Sequence, residues 1–177
     1  MISKRAYRYT QSLLLLSTIL VVAMSFYFEY AKGLEPCPLC LMQRLSAFLL
    51  GMFCLMGMTL GTLRRARSVA VFQIVFASFG FFFATRQMWL QSLPADQAPM
   101  CMPGLDVLMR YFPWDVVLKA LFWGTADCGE ITWRWLGLSM PAWSALYFAA
   151  LLLASGIVFW GVNKSLAEQT LLGSQNE

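Results

Sequence analysis

Apolar residues run along this chain in long blocks rather than in alternation or at every third or fourth position. Four blocks, about 13–31, 41–63, 69–90 and 142–162, reach the length needed to cross a bilayer. Each predicts a helix that is apolar all round, which is stable in lipid or inside a large core. The long segment between the third and fourth blocks, about 91–141, behaves differently. Its Leu105, Leu108, Met109, Phe112, Val116, Val117, Ala120 and Leu121 recur at near-helical spacing, broken at Pro113, with Asp106, Arg110, Asp115 and Lys119 interleaved. That pattern predicts a short, interrupted amphipathic helix lying on a membrane surface. The expected architecture is all-α: a single four-transmembrane-helix bundle domain over 1–177, with the amphipathic helix in its second outward loop.

Composition agrees. At 177 residues, 59% hydrophobic and only 12% charged, the chain carries more apolar surface than a soluble domain of this size hides. The net charge of +4 is no nucleic-acid signal, because its distribution follows topology. Lys4, Arg5 and Arg8 precede the first span, Arg64, Arg65 and Arg67 fill the short link between the second and third, and Lys164 follows the fourth. The opposite segments, about 32–40 and 91–141, hold few basic residues, mixed with acids. The positive-inside rule therefore places both termini in the cytoplasm and the two other segments outside. Phe26-Tyr27-Phe28-Glu29-Tyr30 offers no small-residue cleavage site, so the first span reads as an uncleaved packing helix and topology anchor. The polar tail after Lys164 is expected to fray.

Candidate chemistry lies in the cysteines. Cys37, Cys40, Cys101 and Cys128 all fall on the outward side, whereas Cys54 lies fourteen residues beyond Cys40, roughly 21 Å down the second helix at ~1.5 Å per residue, and reads as a buried structural thiol. Cysteines on an oxidising side form disulfides. Cys37–Cys40 with Cys101–Cys128 is the simplest of the three pairings, which sequence alone leaves open. In Glu35-Pro36-Cys37-Pro38-Leu39-Cys40, Pro38 suits the first helical position, with Cys37 as N-cap. Cys40 then sits beside unpaired backbone N–H groups and the positive end of the helix dipole, which favour thiolate. Arg44, one turn on, shares its face. Gly57 and Gly61 form a GxxxG that permits close helix approach.

The chain contains no histidine, so the usual haem, zinc and general-base ligands are missing. Four thiolates can hold one zinc, but an oxidising compartment opposes it. The pairs are then either structural staples or redox centres. The two-residue spacer of Cys-Pro-Leu-Cys closes too small a ring to staple much and suits dithiol exchange. Electrons passing from Cys101–Cys128 to Cys37–Cys40 need an acceptor dissolved in the bilayer, and a quinone takes two at a time. Arg86, Gln87 and Trp89 near the outer end of the third span read either as an interface belt, with Arg86 snorkelling, or as contacts to a ring-shaped ligand.

These motifs together resemble the DsbB family of bacterial inner-membrane disulfide bond formation proteins. The resemblance covers nearly the whole chain: the four spans, Cys-Pro-Leu-Cys with Arg44, Trp89-Leu90-Gln91-Ser92-Leu93-Pro94, Cys101-Met102-Pro103-Gly104-Leu105, and Asp127-Cys128 followed by Leu136-Gly137-Leu138-Ser139-Met140-Pro141-Ala142-Trp143. It implies that Cys101 receives attack from a DsbA-like thioredoxin-fold periplasmic oxidase, that Cys128 is released and exchanges with Cys37, and that Cys40 contacts ubiquinone or menaquinone. Arg44 would lie beside the quinone, with Arg86 and Gln87 as further candidate contacts. Many relatives carry a histidine where this chain has Ser92, which leaves Ser92 without an implied quinone role. Two alternatives stand beside this reading. One is a disulfide-stapled membrane scaffold without activity. The other is a quinone-linked redox protein like the vitamin K epoxide reductases, in which the loop cysteines precede the Cys-x-x-Cys rather than follow it.

Overall fold

A computed structural model of the chain describes residues 4–59, 62–94, 105–131 and 133–174. Cys101, the rest of the proline-rich loop from 95 to 104, and Gly61 of the GxxxG lie outside them. Four long helices form a bundle: α1 (Lys4–Lys32), α2 (Pro38–Thr59), α3 (Leu63–Ser92) and α6 (Met140–Ser174). All four are long and apolar enough to span a membrane. Between α3 and α6 come α4 (Leu105–Tyr111), α5 (Trp114–Trp123), a 3-10 turn (Ala126–Gly129) and a two-stranded hairpin, β1 (Arg134–Trp135) with β2 (Leu138–Ser139). Pro113 separates α4 from α5, as the pattern predicted, and Leu108, Val117 and Ala120 pack the two together.

Helix α3 is the centre of the bundle, packed on α6 and α2, while α1 lies against α2. Lipid supplies no hydrophobic force between helices, so close packing and interhelical hydrogen bonds hold them. Small residues on α3, namely Ala66, Ala70, Ala77 and Gly80, bring α6 close. Gly57 of α2 lies under the Tyr7 hydroxyl and Gln11 of α1, where a Cβ would come within 3.0 Å of the hydroxyl. In the same half of the bundle, Gln73 Nε2 donates to Gln11 Oε1 at 2.6 Å and to Cys54 Sγ at 3.2 Å. Cys54 is thus the buried structural thiol expected. Large apolar side chains such as Leu16, Met52, Phe72 and Leu153 point outward, as a lipid solvent requires.

Two boundaries and one element differ from the sequence reading. Arg64, Arg65 and Arg67 do not fill a link but stand, exposed, in the opening turns of α3. Cations at a helix N-terminus are unfavourable by only a few tenths of a kcal/mol (~0.3–1). Packing of Ala66, Val69 and Ala70 outweighs that. Helix α6 does not fray after Lys164 but continues to Ser174, because Val162 and Leu166 pack with Tyr7, Ala66 and Ala70. The hairpin was not anticipated. Its Leu136 and Gly137 both have positive φ (51° and 81°), the geometry of a two-residue type I′ turn.

A Cβ built on Gly80 would overlap the Phe148 ring, whereas one on Gly156 meets nothing within 4 Å. Gly80→Ala should therefore lower the unfolding midpoint of the detergent-solubilised protein by an amount equivalent to about 1–3 kcal/mol. Gly156→Ala should leave it unchanged or slightly raised.

Candidate redox site

The link between α1 and α2 turns at Gly33 (φ 64°), with Leu34 N–H bonded to the Phe28 carbonyl at 3.2 Å. Helix α2 then opens as its prolines dictate: Pro38 is the first helical residue, and the Cys37 carbonyl accepts from Leu41 N–H at 3.1 Å, which makes Cys37 the N-cap. One turn of helix brings Cys37 Sγ within 3.1 Å of Cys40 Sγ. Gln87, from α3, addresses both sulfurs with a single amide nitrogen, Nε2 lying 3.4 Å from Cys37 Sγ and 3.3 Å from Cys40 Sγ. Its oxygen accepts from Gln43 Nε2 at 2.8 Å, and this bond aims the amide at the sulfurs.

A third sulfur joins them from the opposite segment. Cys128 sits in the 3-10 turn, wholly buried against Leu39, Phe83 and Leu90. The approach depends on Gly124, which ends α5 with φ 84°; a Cβ there would lie 2.7 Å from Leu90 Cδ1 and 2.8 Å from Leu39 Cδ1. Only glycine fits both the backbone and the space. So placed, Cys128 Sγ accepts from the Cys37 thiol and from the Leu39 backbone N–H. These contacts, the Cys37 hydrogen bond first, draw Cys128 down from its ordinary 9.0 to about 6 against the opposing effect of burial. Cys37 is pushed up for the complementary reason, since it supplies the proton to Cys128 and Cys40. The α2 N-terminus therefore serves two sulfurs rather than one. Leu39 N–H goes to Cys128, and Cys40 meets the N–H of Cys37.

Below Cys40 opens a cavity of about 360 Å³, bounded by α1, α2, α3 and α6 and lined by Ser25, Glu29, Cys40, Arg44, Gln87 and Tyr147 among others. It is mostly apolar with a few convergent polar groups, and its size suits a small organic ligand. Arg44 faces this space but turns toward α1. Its Nη1 pairs with Glu29 Oε2 at 2.6 Å, Nε and Nη2 donate to Ser25 Oγ at 3.1 and 2.8 Å, and the guanidinium lies 4.3 Å from the centre of the Phe26 ring. Arg44 is thus the partner of Glu29 and shares a cavity, not a bond, with Cys40. Helix α1 contributes to the site, which the reading of its span as a packing helix and anchor missed. The available signal was an acid and a base at facing ends of two antiparallel spans.

Arg86 stands apart. It lies on the side of α3 toward α5, donates from Nε to the Trp123 carbonyl at 3.3 Å and stacks over Trp89 at 4.1 Å. Ser92 Oγ donates to the Trp89 carbonyl at 2.7 Å at the end of α3, also away from the cavity. Cys37, Cys40 and Cys128 are thiols here, and among the described residues no group of three His, Cys, Asp or Glu is placed to hold a metal.

Comparison with known proteins matches the family described as disulfide bond formation protein DsbB over residues 7–158. The chain is 44% identical to disulfide bond formation protein B of Marinobacter nauticus over 133 residues, covering 75% of this chain and 79% of that one. It is 41% identical to disulfide bond formation protein B 1 of Pseudomonas aeruginosa over 138 residues, 77% and 85% of the two chains. With disulfide bond formation protein B of Acinetobacter baylyi the identity is 37% over 150 residues, 84% of this chain and 88% of that one.

The anion on Cys128 is present above its lowered pKa and lost as pH falls through it. In the fully reduced protein, thiolate absorbance assigned to Cys128 should therefore titrate near pH 6. Gly124→Ala, which lifts the turn off Leu39, should move that midpoint back toward 9.0.

Proposed function

Because the chain belongs to the DsbB family, whose members are disulfide-forming oxidoreductases, we propose that it reoxidises a DsbA-like thioredoxin-fold dithiol oxidase and delivers the two electrons to a membrane quinone. The observation that carries this reading is the order of the sulfurs. Cys37 lies between Cys128 and Cys40, and of these three only Cys40 lines the cavity. A path from the loop to the lipid side is laid out as Cys128, Cys37, Cys40.

In this scheme the partner's thiolate attacks Cys101, and Cys128 leaves with the electron pair of the broken bond. Cys128 then attacks Cys37, and Cys40 is released as a thiolate facing the cavity. A bound quinone, ubiquinone or menaquinone, supplies the acceptor for two electrons and two protons. The chain's own residues prepare that end. Gln87, aimed by Gln43, places N–H density on Cys37 and Cys40 and favours negative charge there. The Arg44–Glu29 pair puts fixed dipolar groups on the cavity wall. Cys40, Arg44 and Gln87 are the residues assigned to the quinone end. Arg86, sited at the C-terminus of α5, suits the alternative role of an interface anchor, its charge complementing the helix dipole.

We further assign the chain to the bacterial inner membrane as a multi-pass protein. The termini lie in the cytoplasm and the cysteine pairs in the periplasm, on the strength of Arg64, Arg65 and Arg67 clustering opposite the sulfur-bearing end.

The test is quinone reduction by purified protein, followed by ultraviolet absorbance with a reduced thioredoxin-fold oxidase as donor. Wild type should turn over, and Cys40→Ser and Cys101→Ser should each fall to background. Folded wild-type protein inactive with both ubiquinone and menaquinone would leave the stapled scaffold as the surviving account.

A further inference from the structure

Thr125 occupies the N-cap position of the 3-10 turn, where a threonine hydroxyl ordinarily accepts from a backbone N–H two or three residues on. Here the side chain makes no such bond. The Cys128 N–H goes instead to the Thr125 carbonyl, at 3.0 Å. The hydroxyl, on a residue 2% exposed, has one side-chain neighbour among the described residues within hydrogen-bonding range, the Cys128 sulfur at 3.9 Å. A hydroxyl proton this buried goes to the acceptor at hand. A thiol sulfur is a weak acceptor, whereas a thiolate is a strong one.

We infer that the Thr125 hydroxyl is a built-in donor to the Cys128 thiolate and sets how readily this sulfur leaves a disulfide. The inference rests on the proposed relay for its role in turnover, but not for the hydrogen bond itself. Its weight comes from the redox state in which it acts. In the reduced protein the Cys37 thiol also donates to Cys128. When Cys37 is joined to Cys40 in a disulfide, that proton is gone. The donors left to Cys128 are then the backbone N–H groups of Leu39 and Thr125 and the Thr125 hydroxyl. At the step where Cys128 is displaced, the hydroxyl is thus the side-chain donor that remains.

The step balances without a proton. The attacking thiolate of the partner dithiol forms a bond to Cys101 Sγ, the Cys101–Cys128 bond breaks, and its electron pair stays on Cys128 Sγ. A leaving sulfur with a lower pKa departs faster. The surroundings add little competing charge. Helix α2 presents Cys37 and Cys40, α3 presents the apolar Phe83 and Leu90, and the turn itself carries Asp127 and Glu130. Asp127 and Glu130 are exposed to solvent, so the anion is held by the hydroxyl, the Thr125 backbone N–H and the helix N-terminus.

The experiment uses the full-length chain with Cys37, Cys40 and Cys101 changed to alanine, so that only Cys128 and the buried Cys54 remain. Thiolate formation is followed by ultraviolet absorbance, and pH-dependent alkylation of the Cys128 peptide by mass spectrometry. No quinone and no partner is present, so failure here is separate from failure of the relay. Thr125→Val, nearly equal in shape, should raise the Cys128 midpoint by about one unit, roughly a tenfold loss of thiolate below it. Thr125→Ser should restore the midpoint to that of threonine. An unchanged midpoint in the valine variant overturns the inference. So does a serine variant shifted as far as valine, because the effect would then be packing and not the hydroxyl.

Discussion

Everything at the sulfur-bearing end of this molecule hangs on the contact of Gly124 with Leu39 and Leu90. A bundle of four helices in lipid places no sulfur next to another by itself. The Cys-x-x-Cys is bound to α2, and Cys128 lies beyond two short helices in a different segment. They meet because the chain at Gly124 comes down onto two fully packed leucines, at a distance no side chain tolerates. The turn that follows is thereby delivered to the free N–H groups of α2. Burial and hydrogen bonding then act together on one atom. Burial alone would keep Cys128 protonated, and the donors gathered by the same approach reverse that.

The two ends of the bundle use polar groups in opposite ways. Around Cys54, the amides of Gln11 and Gln73 satisfy each other across α1 and α3 and close the interior. Around Cys40, the polar groups are left facing a space: Gln87 is held by Gln43, and Arg44 by Glu29 and Ser25, so each is oriented and retains a side toward the cavity. Two cysteines of the same helix thus meet different fates through their neighbours. Cys54 is sealed in place by a glutamine, and Cys40 is presented by one.

Much of this was legible beforehand, for physical reasons. The spans follow from lengths of apolar sequence, the break at Pro113 from its missing N–H, and the Cys37 cap from the flanking prolines. All are local. What sequence did not show depends on contacts between distant segments. The free N–H groups that open α2 lie beside Cys40 in sequence, yet that of Leu39 is taken by Cys128, eighty-nine positions away, a pairing that only the Gly124 approach creates. Arg44 shares a helix face and a cavity with Cys40, but its guanidinium turns to Glu29, because a full carboxylate on α1 outcompetes a sulfur for it. The start of α3 and the end of α6 lie beyond what charge alone indicates, because Ala66 and Val162 beside the charged residues pack well enough to carry each helix through.

The Arg44–Glu29 bond also changes what the first helix is. An initial apolar helix with basic residues before it works as an address, and addresses are interchangeable: any stretch of suitable length and flanking charge would insert and orient the rest. This one is written into the interior chemistry. Replacing it with a generic anchor would leave the Arg44 guanidinium without its counter-charge and without Ser25, and a wall of the cavity would be missing. The chain would still cross the membrane in the right direction. Its first helix therefore answers to two constraints, one set by the lipid and one by an arginine on its neighbour, and only the first is satisfied by hydrophobicity.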